Sequence, residues 1–252
     1  MRSKGIKVTG TSALLAVSLL TILLVIPQSG VASGESDNKS DWFYPEWAAT
    51  AQYNAPIIVR DTDSALGRYS LKTKEIGLKD LARMHGHLCD GLVASFVQIK
   101  AVLALLFPDG IIDRTDVRVV SRNSPCLVDT AAFMTGARIN FQTLRIDNSM
   151  GSGFIIQRIS TGDAYEVHLK SGVFPPAQAA LEEKIRVLRA AGQPVTAVDI
   201  DEVERMADAL SQRVLDLPPG EVVDIARREH YKFSPADVLG DRGDVINKNM
   251  PR

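Results

Sequence analysis

The sequence predicts an α+β fold: a mixed or antiparallel sheet packed with helices, with a His-Gly-His-x-Cys motif at the start of a buried helix. Three observations predict it. Residues 92–107 form a strongly apolar run closed by Pro108-Asp109-Gly110, the pattern of a helix buried on all sides. Residues 143–147 and 153–170 alternate as strands do, interrupted by turns at Gly151-Ser152-Gly153 and Thr161-Gly162-Asp163. Residues 175–191 and 199–216 carry apolar positions at helical period on otherwise polar segments.

In chain order, the first 33 residues are set apart. Arg2, Lys4 and Lys7 precede an apolar run over 13–26, then Pro27, Gly30 and the small residues Ala32-Ser33. Basic, apolar and small, in that order, is the pattern of a secretory signal peptide, with cleavage expected near Ala32 or Ser33. The run is short for a bilayer span of about 20 residues. Export to a periplasm is therefore expected, with an uncleaved membrane anchor as the alternative. After cleavage no second long apolar run remains to hold the chain in a membrane. Residues 34–41 are polar. The N-terminal arm, 34–74, concentrates aromatics in Trp42-Phe43-Tyr44-Pro45-Glu46-Trp47, which holds both tryptophans of the chain. Two uses are open to that segment: packing onto the body, or contact with a partner protein or small ligand. Residues 61–75 read as a loop and a short strand.

Residues 77–107 read as helical, with Leu78, Leu81, Ala82 and His85 on one face. Gly86 and Gly91 are expected to open or kink the backbone around Cys89, with Cys89 in the first turn of the apolar helix. A buried strand follows at 117–121. A Pro-containing turn then delivers Cys126 to a second helix running toward Gly136, so that the two thiols, each at a helix start, can face one another. Residues 221–227 return as a strand, and 229–252 form a tail.

The chemistry concentrates in His85-Gly86-His87-Leu88-Cys89-Asp90-Gly91. That stretch takes two of the four histidines and one of the two cysteines; Cys126 is the other. Imidazole and thiolate are the ligands that first-row transition metals prefer, zinc above all. His85, His87, Cys89 and Cys126 are the candidate metal ligands, for zinc first and iron second. A three-ligand set of Cys89, Cys126 and one histidine leaves an open position, with the other histidine beside it as an acid or base; His87 is the candidate for that catalytic role. Four ligands instead give a closed structural site, and a Cys89–Cys126 disulfide is the metal-free alternative for an exported chain. Asp129, one turn after Cys126, is a candidate carboxylate behind the ligands. Arg122, with Arg118, can line the cleft and attract an anion. His168 and His230 read as surface or packing residues, and Ser95 as a helix-packing residue. A net charge of −1 with no basic stripe gives no support for nucleic-acid binding.

His85-Gly86-His87-Leu88-Cys89-Asp90-Gly91-Leu92 resembles the His-Gly-His-x-Cys-Pro-Gly-Leu signature of the formylmethanofuran dehydrogenase E-subunit family. The family's second block, Asn-x-x-Cys-x-x-Asp before a helix closed by Thr-Gly, is matched by Asn123, Cys126 and Asp129 with Thr135-Gly136. The resemblance covers residues 75–228. It implies an α+β core, a homodimer, a metal near the first motif with a cleft beside it, and Asn123 as a further residue behind the ligands. Asp90 replaces the family's proline, and Gly151-Ser152 its usual Gly-Lys. No cysteine follows Cys126, so the C-terminal four-cysteine zinc ribbon of many members has no counterpart. The pterin of the namesake complex belongs to other subunits, and none is expected on this chain. Two functional classes stay open. One is an exported metalloprotein whose open site supports redox or hydrolytic chemistry. The other is a non-catalytic metal carrier, sensor or accessory subunit of an exported metalloenzyme, alongside the disulfide-stapled structural protein.

Overall fold

A computed structural model describes residues 42–235 and Lys248. The signal segment 1–33, the polar stretch 34–41 and the tail beyond residue 235, Lys248 excepted, lie outside the described residues. The fold is α+β, as the sequence predicts. Among the described residues no helix is long and apolar enough to cross a membrane.

The chain opens with a short helix, α1 (Glu46–Thr50), and strand β1 (Ile57–Arg60). Next come β2 (Lys74–Ile76), α2 (Leu78–His85), α3 (Asp90–Leu106), β3 (Ile111–Asp113), β4 (Val117–Ser121) and α4 (Pro125–Thr135). Then follow β5 (Leu144–Ile146), β6 (Phe154–Arg158), β7 (Ala164–Leu169), α5 (Pro176–Ala190), α6 (Ala197–Asp216), α7 (Pro219–Val222) and β8 (Val223–Arg227). A five-stranded sheet has the order β5-β4-β6-β7-β8, antiparallel except for the parallel β4–β5 pair. A second sheet, β2-β1-β3, joins an antiparallel pair to a parallel one. Its central strand comes from Ile57-Ile58-Val59, a β-branched run after Pro56 that falls within the N-terminal arm.

Helix α3 is the axis of the core. Leu92, Val93, Phe96, Ile99, Val102 and Leu103 are all buried, and the helix packs against α4, α6, β6 and β7. Removing each such side chain from water is worth roughly 1.5–3 kcal/mol, and this burial fixes the helix that carries Cys89 at its N-terminal end. The region that reads as helical over 77–107 is two helices, α2 and α3, with a break at the motif. The predicted strand over 221–227 forms only from Val223, because Pro218 and Pro219 lead into the single turn α7 first.

The aromatic segment docks in part. Tyr44 is buried and its hydroxyl lies 2.6 Å from Asn54 Nδ2. Phe43 and Trp47 pack against the core, and the Arg83 guanidinium lies 5.4 Å from the Phe43 ring centroid. Trp42 is 89% exposed.

Candidate metal centre

Helix α2 ends at His85 because Gly86 takes φ 104°, a left-handed conformation that costs glycine little. The Gly86 N–H donates to the Ala82 carbonyl at 2.9 Å, closing the last turn. The chain turns through His87 and Leu88 and re-enters helix at α3. Cys89 stands at the N-cap of α3 in extended conformation, one position before the first turn in which the sequence predicts it. Its carbonyl accepts from the Val93 N–H at 3.0 Å. Gly91 does not open the backbone; it lies inside α3. Its role is close approach, because a Cβ there would come within 3.1 Å of Cys126 Sγ. Cys126 follows Pro125 at the start of α4, so the two thiols do face one another at two helix N-termini.

Cys89 Sγ and Cys126 Sγ are 3.5 Å apart, and both cysteines are free. A disulfide holds its sulfurs about 2.05 Å apart. Cys126 Sγ lies 3.8 Å from His85 Nε2. On the other side of that ring, His85 Nδ1 is 2.7 Å from Asp129 Oδ2. The carboxylate can only accept, so Nδ1 carries a proton, and Nε2 is the ring nitrogen turned toward Cys126. The His85 side chain is 5% exposed and that of Asp129 38%. His87 is exposed, with its ring centroid 4.8 Å from that of His85. Donor atoms of His85, His87 and Cys89 all lie within 4.8 Å of one another, and Cys126 joins through its contacts with Cys89 and His85.

These spacings fit a metal. A tetrahedral zinc with bonds of about 2.3 Å to sulfur and about 2.0–2.1 Å to nitrogen has an S–S edge of about 3.8 Å and an S–N edge of about 3.6 Å. The separations of 3.5 and 3.8 Å come within about 0.3 Å of those edges. The donor set, imidazole plus thiolate, suits zinc or iron.

Charge in the pair is divided unequally. The hydrogen bond from the Cys89 thiol is the largest influence on Cys126; burial opposes it, the nearby His85 assists, and the Cys126 thiol is brought down to about 6. The same bond, with burial, pushes the Cys89 thiol far up. In metal-free protein one thiol should therefore react with iodoacetamide well below the ordinary thiol range. That reactivity falls off as pH drops through about 6, and the second thiol stays slow. Mass-resolved alkylation against pH checks this; two thiols titrating together near the ordinary value of about 8.5 contradict it.

A cleft of about 570 Å³ opens beside Cys126 and Gly91. Its far wall includes His168, for which the sequence predicts no site role. His168 Nε2 lies 2.7 Å from Glu166 Oε1, and Arg228 holds the other Glu166 oxygen at 2.8 Å. A Cβ on Gly153 would lie 2.2 Å from His168 Nδ1 and 2.3 Å from the Val167 carbonyl oxygen, so the ring and the β7 backbone come this close only to a glycine. A histidine one residue inside a strand end, opposite a glycine in the preceding hairpin, is the one signal that points to it. Arg122 is exposed and lines the cleft. Arg118 stacks its guanidinium 5.3 Å from the Phe233 ring centroid. Asn123 is exposed, and its backbone N–H donates to Asn148 Oδ1 at 3.1 Å. Ser95, a buried α3 residue lining the cleft, donates its hydroxyl to the Gly91 carbonyl at 2.7 Å.

A family model described as FmdE, molybdenum formylmethanofuran dehydrogenase operon, matches residues 84–224. A crystal structure of a tungsten formylmethanofuran dehydrogenase E-subunit (FmdE)-like protein from Syntrophus aciditrophicus aligns at 12% identity with a TM-score of 0.39, covering 64% of this chain and 76% of that one. No curated protein matches the chain.

Proposed function

The chain belongs to the FmdE family, and from that premise we propose that it is a metalloprotein holding one divalent transition metal, zinc or iron, at Cys89, Cys126 and His85. The observation that carries this reading is the Asp129–His85–Cys126 relay. A carboxylate 2.7 Å away orients the His85 ring, whose other nitrogen meets Cys126 at metal-edge distance, with Cys89 beside Cys126 at a second such edge. His87, exposed beside His85, is assigned outside this set and serves the open position as an acid or base. The metal would supply Lewis acidity there, or an electron in the case of iron. His85 and the two thiols hold and orient it, Asp129 keeps the imidazole basic, and Gly91 lets the two helix ends close around it. We propose further that residues 1–33 direct export and that the protein assembles as a homodimer. Intact mass and sedimentation of the native protein test both: a full-length mass contradicts cleavage, and a monomer contradicts the dimer.

Cobalt loading tests the ligand set. The wild type and His87→Ala should both give intense thiolate-to-cobalt absorption at one ion per chain. His85→Ala should lose it. Asp129→Asn should weaken affinity roughly 10–100-fold while keeping the same spectrum. If His87→Ala empties the site as fully as His85→Ala, the open position does not exist. A closed site favours the second reading, a metal carrier, sensor or accessory subunit. Its supporting observation is that donor atoms of His87 lie within 4.8 Å of those of His85 and Cys89.

A further inference from the structure

We infer that the cleft beside Cys126 is a binding site for a small bipolar molecule, with an anionic group at one end and an ammonium or similar donor at the other. This rests on the metal-site reading only for what the molecule is bound against; the cleft itself is argued from its own lining. Its volume of about 570 Å³ falls in the usual range for small-molecule sites, about 300–1,000 Å³.

The lining divides by charge and by origin. The sheet side carries the basic groups: Arg122 just after β4, and His168 near the end of β7. Among the described residues the Arg122 guanidinium has no ion-pair or hydrogen-bond partner, whereas Lys170 on the same rim already donates to the Gly220 carbonyl at 2.6 Å. A free guanidinium at a cleft mouth offers a planar fork to a carboxylate or phosphate. The helix side carries the acids: Asp90 opens α3 and Glu182 lies on α5. Both are tied to the fully buried Gln178, whose Nε2 donates to Asp90 Oδ2 at 2.6 Å and to Glu182 Oε1 at 2.9 Å. One amide cannot neutralise two carboxylates, so this wall keeps its negative charge. Gln98, 1% exposed and in the same wall, adds a side-chain oxygen with no hydrogen-bond partner. A buried acceptor left unpaired is unfavourable until a donor meets it. An anion alone would be opposed by Asp90 and Glu182, and a cation alone would leave Arg122 unmatched. A molecule bearing both charges complements both walls.

The test uses ω-amino acids of four to eight carbons as probes, with the monoamine and monocarboxylate of matching length as controls. Each is titrated by calorimetry into metal-loaded and metal-free protein, with metal content measured on the same samples. One chain length should bind at least ten-fold tighter than either control. Arg122→Gln should reduce it to the level of the amine, and Glu182→Gln to that of the carboxylate; both side chains sit at the cleft rim, and glutamine at 182 can still accept from Gln178. The inference is overturned if no probe binds, if the controls bind as tightly, or if neither variant changes the preference. Protein that binds the probes yet takes up no metal would sink the metal-site reading and leave the cleft standing. Metal uptake without probe binding would do the reverse.

Discussion

Replacing Cys89 or Cys126 with serine should empty the metal site. Each sulfur lies 3.5 Å from the other, and Cys126 is also 3.8 Å from His85 Nε2, close enough for a single ion to meet both. Serine keeps the size of the side chain but remains a neutral hydroxyl at working pH, a poor ligand where a thiolate was needed. Structural zinc sites are worth about 10–16 kcal/mol in all, so one ligand of three or four is worth about 2.5–5 kcal/mol, on the order of a hundred- to several-thousand-fold in affinity. The two variants should behave alike, because they remove two corners of one site. His168→Ala should retain the metal, since its ring packs on Gly153 across the cleft. Metal affinity by competition with a chelator is the measurement. If Cys126→Ser binds one ion per chain with unchanged affinity, the shared site is wrong.

Phe96→Ala should be the most destabilising simple truncation near the site. Phe96 is 1% exposed within α3, the helix that packs against two helices and two strands. Deleting its ring removes the burial and leaves a cavity, at a typical cost of about 3–5 kcal/mol for Phe→Ala. Single domains commonly hold only about 5–15 kcal/mol of stability. Urea unfolding should show a large drop in midpoint with little change in slope. A loss under about 1 kcal/mol would mean that α3 is not the core of this fold. Because Cys89 caps α3 and Gly91 seats Cys126 against it, metal affinity should fall with the fold rather than independently of it.

The helices and the five-stranded sheet are legible in the sequence because their patterns are long. The apolar run of α3, the alternation around Thr161-Gly162-Asp163 and the amphipathic α5 and α6 each span enough residues for periodicity to speak. The centre of the second sheet is not. Strand β1 has four residues, and it is defined by pairing with β2 and β3, contacts distant in sequence. Convergence of the first motif with Cys126 follows from two thiols at two helix starts. Its detailed form does not: the break at Gly86 puts Cys89 at a cap, and Gly91 serves a packing contact that no local pattern announces. Asp129 is legible from its position one turn after Cys126, and the structure places it on His85 Nδ1. His168 is not, because its setting depends on Gly153, Glu166 and Arg228, brought together only by the β6-β7-β8 meander.

The most direct test of a shared metal site is elemental analysis of the native protein, purified anaerobically, with thiols counted on the same sample after metal removal. About one zinc or iron per chain, absent from Cys89→Ser, with two free thiols recovered once the metal is chelated, is the result expected from the Cys89–Cys126–His85 geometry. No metal and no free thiols would instead mean a Cys89–Cys126 disulfide, and the metal-site reading would be wrong.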